Sequence, residues 1–199
     1  MYGELNDRSR SPMHKTFIAI VLMLLFSPAL LGKDHAIDTA RSKITIHVGK
    51  SGLFSAAGHE HEVSAPIAEG AFDDSGVGRV WFRVETAKMQ VLPEKDQAAV
   101  QKDMQEKVLE IATFPQIRFE STAIRKIAEG TWLVAGNLSL HGKTNPVTAD
   151  VHVGNNAYAG QAVIRQSQFG IKPVSAAGGT VKAKDELKIE FVIVAADSR

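Results

Sequence analysis

The chain has 199 residues, 44% of them hydrophobic and 23% charged, enough for one globular domain with its own core. Lys and Arg number 23 against 22 Asp and Glu, a net charge of +1, which argues against a nucleic-acid groove or a polybasic membrane patch. There is no cysteine, which excludes a disulfide framework, a zinc–thiolate site, a thiol nucleophile and a lipoprotein cysteine.

Residues 1–32 read as a polar extension followed by a secretory signal peptide. Met13-His14-Lys15 supplies a basic start, Phe17 to Phe26 is an unbroken apolar run, and Ser27-Pro28-Ala29-Leu30-Leu31-Gly32 ends in small residues suited to cleavage. The run falls short of the roughly 20 apolar residues of a membrane span, which leaves an uncleaved anchor as the competing, lesser reading. Met13 reads as the natural start, cleavage is expected after Ala29 or Gly32, and the export signal implies a periplasmic or secreted protein. Cleavage after Gly32 would leave acidic and basic residues in balance.

Residues 33–199 read as one mainly all-β domain. His35–Asp38 opens it, and Ile44, Ile46 and Val48 alternate with Thr45 and His47 in a first strand. Glycines at 49, 52 and 58 then suggest a bend or bulge before Val63–Ile67. Asp73-Asp74-Ser75-Gly76 is a turn signal, followed by a strand with Val80, Phe82 and Val84 on one side and Trp81, Arg83 and Glu85 on the other. The period changes over Glu94–Glu110, where Val100, Met104 and Val108 recur every four residues among polar neighbours, behind Pro93. That spacing predicts an amphipathic helix. Thr113-Phe114-Pro115 marks its end, and a strand starts at Ile117.

Trp132–Val153 carries the clearest strand signal. Trp132, Val134, Leu138 and Leu140 share one parity. Val147, Ala149, Val151 and Val153 share another, with Thr148, Asp150 and His152 opposite. Between these arms, HGKTNP holds Gly142 and Asn145-Pro146, which predict the turn of a hairpin. A strand near Ala157–Gln166 and a last one with Leu187, Ile189, Phe191 and Ile193 on one face complete the pattern. Many short strands and one helix, with no repeat or long linker, describe a sandwich or closed barrel.

Three segments resemble the YceI-like family of lipocalin-like, polyisoprenoid-binding periplasmic proteins: KVLEIATFPQIRFEST (Lys107–Thr122), GNLSLHGKTNPV (Gly136–Val147) and IRQSQFGIKP (Ile164–Pro173). HAIDTARSKITIHV (His35–Val48) resembles the family's first strand. The resemblance spans nearly all of residues 33–199. It implies an extended antiparallel lipocalin-like β-barrel with one amphipathic helix packed across it, enclosing an apolar tunnel for an isoprenoid or similar lipid. It also suggests homodimers. The segment Gly58-His59-Glu60-His61 departs from the pattern of many relatives and resembles a distinct subgroup.

The expected function is therefore a binding protein, not an enzyme, that carries an isoprenoid, quinone or fatty-acyl lipid. No Gly-x-Ser-x-Gly elbow, Walker loop or His-Glu-x-x-His helix is present. The candidate tunnel residues are the aromatics Phe54, Trp81, Phe82, Phe114, Phe119, Trp132, Phe169 and Phe191, with Leu138, Leu140, the helical Met104 and Val108, and Arg165, which would either bind a head group or pair with a surface carboxylate. Taken singly, each aromatic reads more readily as ordinary core. A second reading is a metal- or redox-linked protein. His59 and His61 would share one face of an extended segment and could hold a divalent metal with His47 or His141. His141 reads otherwise as a turn histidine capping backbone groups. A third reading is an interaction module with a filled core.

Overall fold

Alternating apolar side chains from β2 (Lys43–Ser51) to β12 (Val181–Val194) fold against one another in an antiparallel sheet that returns to its own starting edge. The computed structural model describes residues 34–51, 61–73, 78–92, 97–154, 157–176 and 181–196. The expected signal peptide, Phe54 and His59 lie outside the described residues. No helix among them is long and apolar enough to cross a membrane.

The closure follows from the pairing. β12 pairs with β2, and β2 with β3 (His61–Ser64). The chain then runs through Ala65-Pro66 into β4 (Ile67–Asp73), which pairs on one side with β1 (Asp34–Ala36) and on the other with β5 (Val80–Glu85). From β5 the sheet continues through β7 (Gln116–Ala128), β8 (Thr131–Leu140), β9 (Lys143–Gly154) and β10 (Ala157–Arg165) back to β12. Ile37, just past β1, bridges Ala195, with Asp38 N–H donating to the Val194 carbonyl at 2.9 Å. Among the described residues, a sheet so closed leaves no long free edge. The short β6 (Gln90–Val91) adds to β3, and β11 (Ser175–Ala176) to β12.

The central hairpin turns more tightly than its sequence predicts. Only His141 and Gly142 form the loop, at φ 51° and 72°, the two left-handed residues that a two-residue hairpin requires. Asn145 and Pro146 are not turn residues; they lie within β9, opposite Leu138 and Asn137. Bonded pairs alternate outward from a two-residue turn, so the Pro146 nitrogen points away from β8. On its other side β10 pairs with β9 only from Ala149 onward, so proline interrupts no ladder there.

The helix is also modified. α1 (Gln97–Asp103) passes into a wider π turn over Met104–Val108, closed by Leu109 N–H donating to the Met104 carbonyl at 2.9 Å. Glu110, at φ 45°, ends it. Glutamines one turn apart fasten this segment to the strand before it. Gln97 Nε2 donates to the Val91 carbonyl (2.7 Å), Gln101 Nε2 to the Met89 carbonyl (2.9 Å), and Gln101 Oε1 accepts from Val91 N–H (2.7 Å). That ladder leaves Val100, Met104 and Val108 to pack against the core.

Candidate functional site

Closing the sheet turns the inward side chains of every long strand toward one space. It is an apolar cavity of about 370 Å³, within the size range of small-molecule sites. Ile44, Ile46 and Val48 face it from β2, Val80, Phe82 and Val84 from β5, and Leu187, Ile189, Phe191 and Ile193 from β12. The cavity extends from Met104, Val108, Leu109 and Ile171 at the helix end to Trp132, Val153 and Tyr158 at the other. Leu187 to Ile193 alone spans six residue steps, roughly 20 Å of strand. Val153, at the end away from the helix, lines the space and is 39% exposed.

Two features keep the interior open. Ala149 and Ala162 face each other across the β9–β10 ladder, where larger side chains would meet in the middle. Two aromatic rings lie flat over glycines of the neighbouring strands instead of projecting inward. A Cβ built on Gly136 would stand 2.5 Å from the Phe119 ring, and one on Gly160 would stand 2.5 Å from the Phe191 ring. Phe119 also stacks on Phe82, with ring centres 5.3 Å apart. A filled core, the third reading, does not fit this interior.

Phe82, Met104, Val108, Phe119, Trp132, Leu138, Leu140 and Phe191 line the cavity. Four other candidates stand elsewhere. Trp81 adjoins Phe82 on β5 and therefore points outward, beside Arg79, Arg83, Arg118 and Glu120. Arg165 follows the inward Ile164 and is exposed, with Asp185 as its charged neighbour. It is not among the residues that line the cavity. Phe114 lies before β7 and packs its ring on His141, centres 4.2 Å apart. Phe169 is fully buried but outside the lining.

The described histidines do not converge. His47 stands between Glu62 (3.4 Å) and Glu190 (3.2 Å), while His61 pairs in register with the inward Val48, so the two occupy opposite faces of the sheet. Lys188 first, and His47 after it, hold the Glu190 carboxyl below its ordinary range. His141 Nε2 lies 2.8 Å from Glu110 Oε2 and joins the hairpin turn to the helix end. Among the described residues no cluster of three His, Cys, Asp or Glu could hold a metal ion.

The aromatic-centred candidate set passed over most of the wall. The aliphatic residues of β2 and β12, Ala149 and Ala162, Tyr158 and Gln166 line the cavity as fully as the aromatics. The strand parity that places Ile44, Ile46 and Val48 on one face was the signal for them. Gln166, buried and polar, had no such signal.

Comparison with known proteins agrees with this geometry. The YceI-like domain family matches residues 35–195. A UPF0312 protein of Shewanella denitrificans is 28% identical over 177 residues, covering 80% of this chain and 89% of the relative. A UPF0312 protein of Yersinia pestis is 44% identical over 55 residues, 26% of this chain and 28% of that one. Among solved structures, Burkholderia cenocepacia BcnA superposes with a TM-score of 0.58 at 22% identity, covering 80% of this chain and 99% of its own. A polyisoprenoid binding domain from Saccharophagus degradans, implicated in plant cell wall breakdown, has a TM-score of 0.58 at 12% identity, covering 82% and 98%. At these identities the structural likeness is one of fold.

Proposed function

The chain belongs to the YceI-like family, and from that premise we propose that it is a periplasmic or secreted carrier that holds an isoprenoid, quinone or fatty-acyl lipid in its barrel. The observation that carries the reading is the apolar cavity running the length of the strands. Binding is non-covalent burial of the tail, worth about 0.8 kcal/mol for each methylene withdrawn from water. Ten such groups contribute about 8 kcal/mol, against an association cost of at least about 4 kcal/mol, so only a long tail is held firmly. The polyisoprenoid binding of the Saccharophagus domain supports this class of ligand. The apolar run before residue 33 supports export.

Delipidated protein mixed with vesicles carrying a fluorescent long-chain isoprenoid tests the proposal. Transfer of the probe to the protein fraction, saturating near one per chain, is expected. No transfer, with the barrel shown intact by circular dichroism, would refute it.

A further inference from the structure

The outer face of the sheet carries a second hollow, of about 390 Å³, across β5, β7, β8 and β9. Strand register sorts its side chains into two rows. Trp81 faces Glu120, which faces Asn137; Arg83 faces Arg118, which faces Ser139 and then Thr144. Two of the three guanidiniums here are engaged by carboxylates. Arg79 Nη2 donates to Glu120 Oε1 at 2.6 Å, and Arg83 donates to Glu69 at 2.9 Å and to Glu85 at 3.1 Å. Arg118 is not matched in this way. Its Nε and Nη2 share one neutral acceptor, Gln116 Oε1, at 3.3 and 3.2 Å, the long end of the hydrogen-bond range. Among the described residues no carboxylate pairs with it. It also stands directly opposite Arg83, and like charges so placed repel. A bound anion would answer both conditions.

The neighbours of Arg118 specify the rest of such a ligand. The Ser139 and Thr144 hydroxyls bond each other at 2.7 Å; one O–H makes that bond and the other remains to donate beside Arg118. Half-buried Trp81 is the diagonal neighbour of Arg118 across β5 and β7. Diagonal neighbours stand about 7–8 Å apart, a gap that one six-membered ring bearing a carboxylate can bridge. The exposed Asn137 amide and the second Glu120 oxygen add donors and acceptors suited to hydroxyls. Because Glu69, Glu85 and Glu120 balance the three arginines, the face has no excess positive charge and suits a monoanion better than a phosphate dianion. We propose that this face binds an acidic saccharide, a hexuronate unit whose carboxylate forks onto Arg118 and whose apolar ring face lies on Trp81. The site lies outside the barrel and does not rest on the carrier reading.

Isothermal titration calorimetry on the full-length chain tests this with trigalacturonate and its methyl ester. The acid is expected to bind about tenfold tighter than the ester, the worth of one charge-assisted hydrogen bond at an exposed site. In Arg118→Gln the acid should fall to the level of the ester, while the ester stays within about threefold of its wild-type affinity. Trp81→Ala should weaken acid and ester alike. The chain has two tryptophans, so in Trp132→Phe the remaining emission belongs to Trp81 and should shift as the acid binds. Equal affinity of the wild type for acid and ester, or binding of neither, would overturn the inference and leave the carrier reading standing. Tighter binding of inorganic phosphate or of a hexaglutamate peptide than of trigalacturonate would overturn the saccharide assignment. Should a variant not fold, the wild-type ratio of acid to ester decides by itself.

Discussion

Replacing Ala149 with Phe would plug the cavity at mid-length without unseating the barrel. Ala149 is half-buried on β9, opposite Val134 of β8 and Ala162 of β10, and its methyl group points into the open interior. In a filled core, such an insertion forces neighbours off their rotamers and costs about 1–3 kcal/mol. In a domain of this size that lowers Tm by roughly 2–4 °C for each kcal/mol. Here the ring enters a space of about 370 Å³ and buries apolar surface, so Tm should hold or rise. The ring occupies room for about four methylenes of a bound tail, worth about 3 kcal/mol, so long-chain affinity should fall on the order of 200-fold. Differential scanning fluorimetry and probe titration read the two effects on one preparation. A Tm loss of about 5 °C or more with unchanged lipid affinity would refute the reasoning, because it would mean a packed interior that holds its ligand elsewhere.

Gly136→Ala should destabilise by about 1–3 kcal/mol, read from chemical denaturation, because the new Cβ meets both the Phe119 ring and the Glu120 carbonyl oxygen within 2.6 Å. It should also push the Phe119 ring inward and lower lipid capacity. His141→Ala removes the contacts to Glu110 and Phe114; with Glu110 half-exposed the cost should stay near 1 kcal/mol or less. Amide exchange over residues 105–114 should nevertheless speed up, as the helix end loses its tie to the hairpin. Asp185→Ala should lower Tm at pH 7, since two bonds from Ser167 hold the carboxyl below its ordinary 3.8. A depressed carboxyl stabilises the fold above that ordinary value and ceases to as pH falls through the lower folded one. The Tm gap between variant and wild type should thus be full at neutral pH and close below about pH 3.8.

Strand faces were legible in the sequence because side chains alternate with a period of two. The inward sets on β2, β5, β8 and β12 follow directly from it. The same rule, applied to Trp81 beside Phe82, would have sent the tryptophan outward; its size drew it into the candidate set instead. Pairing beyond neighbouring elements was less legible. Pro146 read as a turn because proline breaks helices, whereas its place in β9 depends on where β10 stops pairing. Closure of the sheet depends on one chain stretch, His61–Asp73, that pairs with β2 through its first half and β5 through its second. Gln166 could not be read at all. A glutamine after a strand is ordinarily a surface residue, and only the Ile171 and Lys184 contacts turn it inward.

Native mass spectrometry of the intact protein, isolated from its own cell envelope without detergent, tests the central claim most directly. A lipid carrier predicts a species heavier than the polypeptide by one discrete lipid mass, released on collisional activation and absent after solvent extraction. A bare polypeptide mass, from protein that also takes up no added isoprenoid, would contradict it.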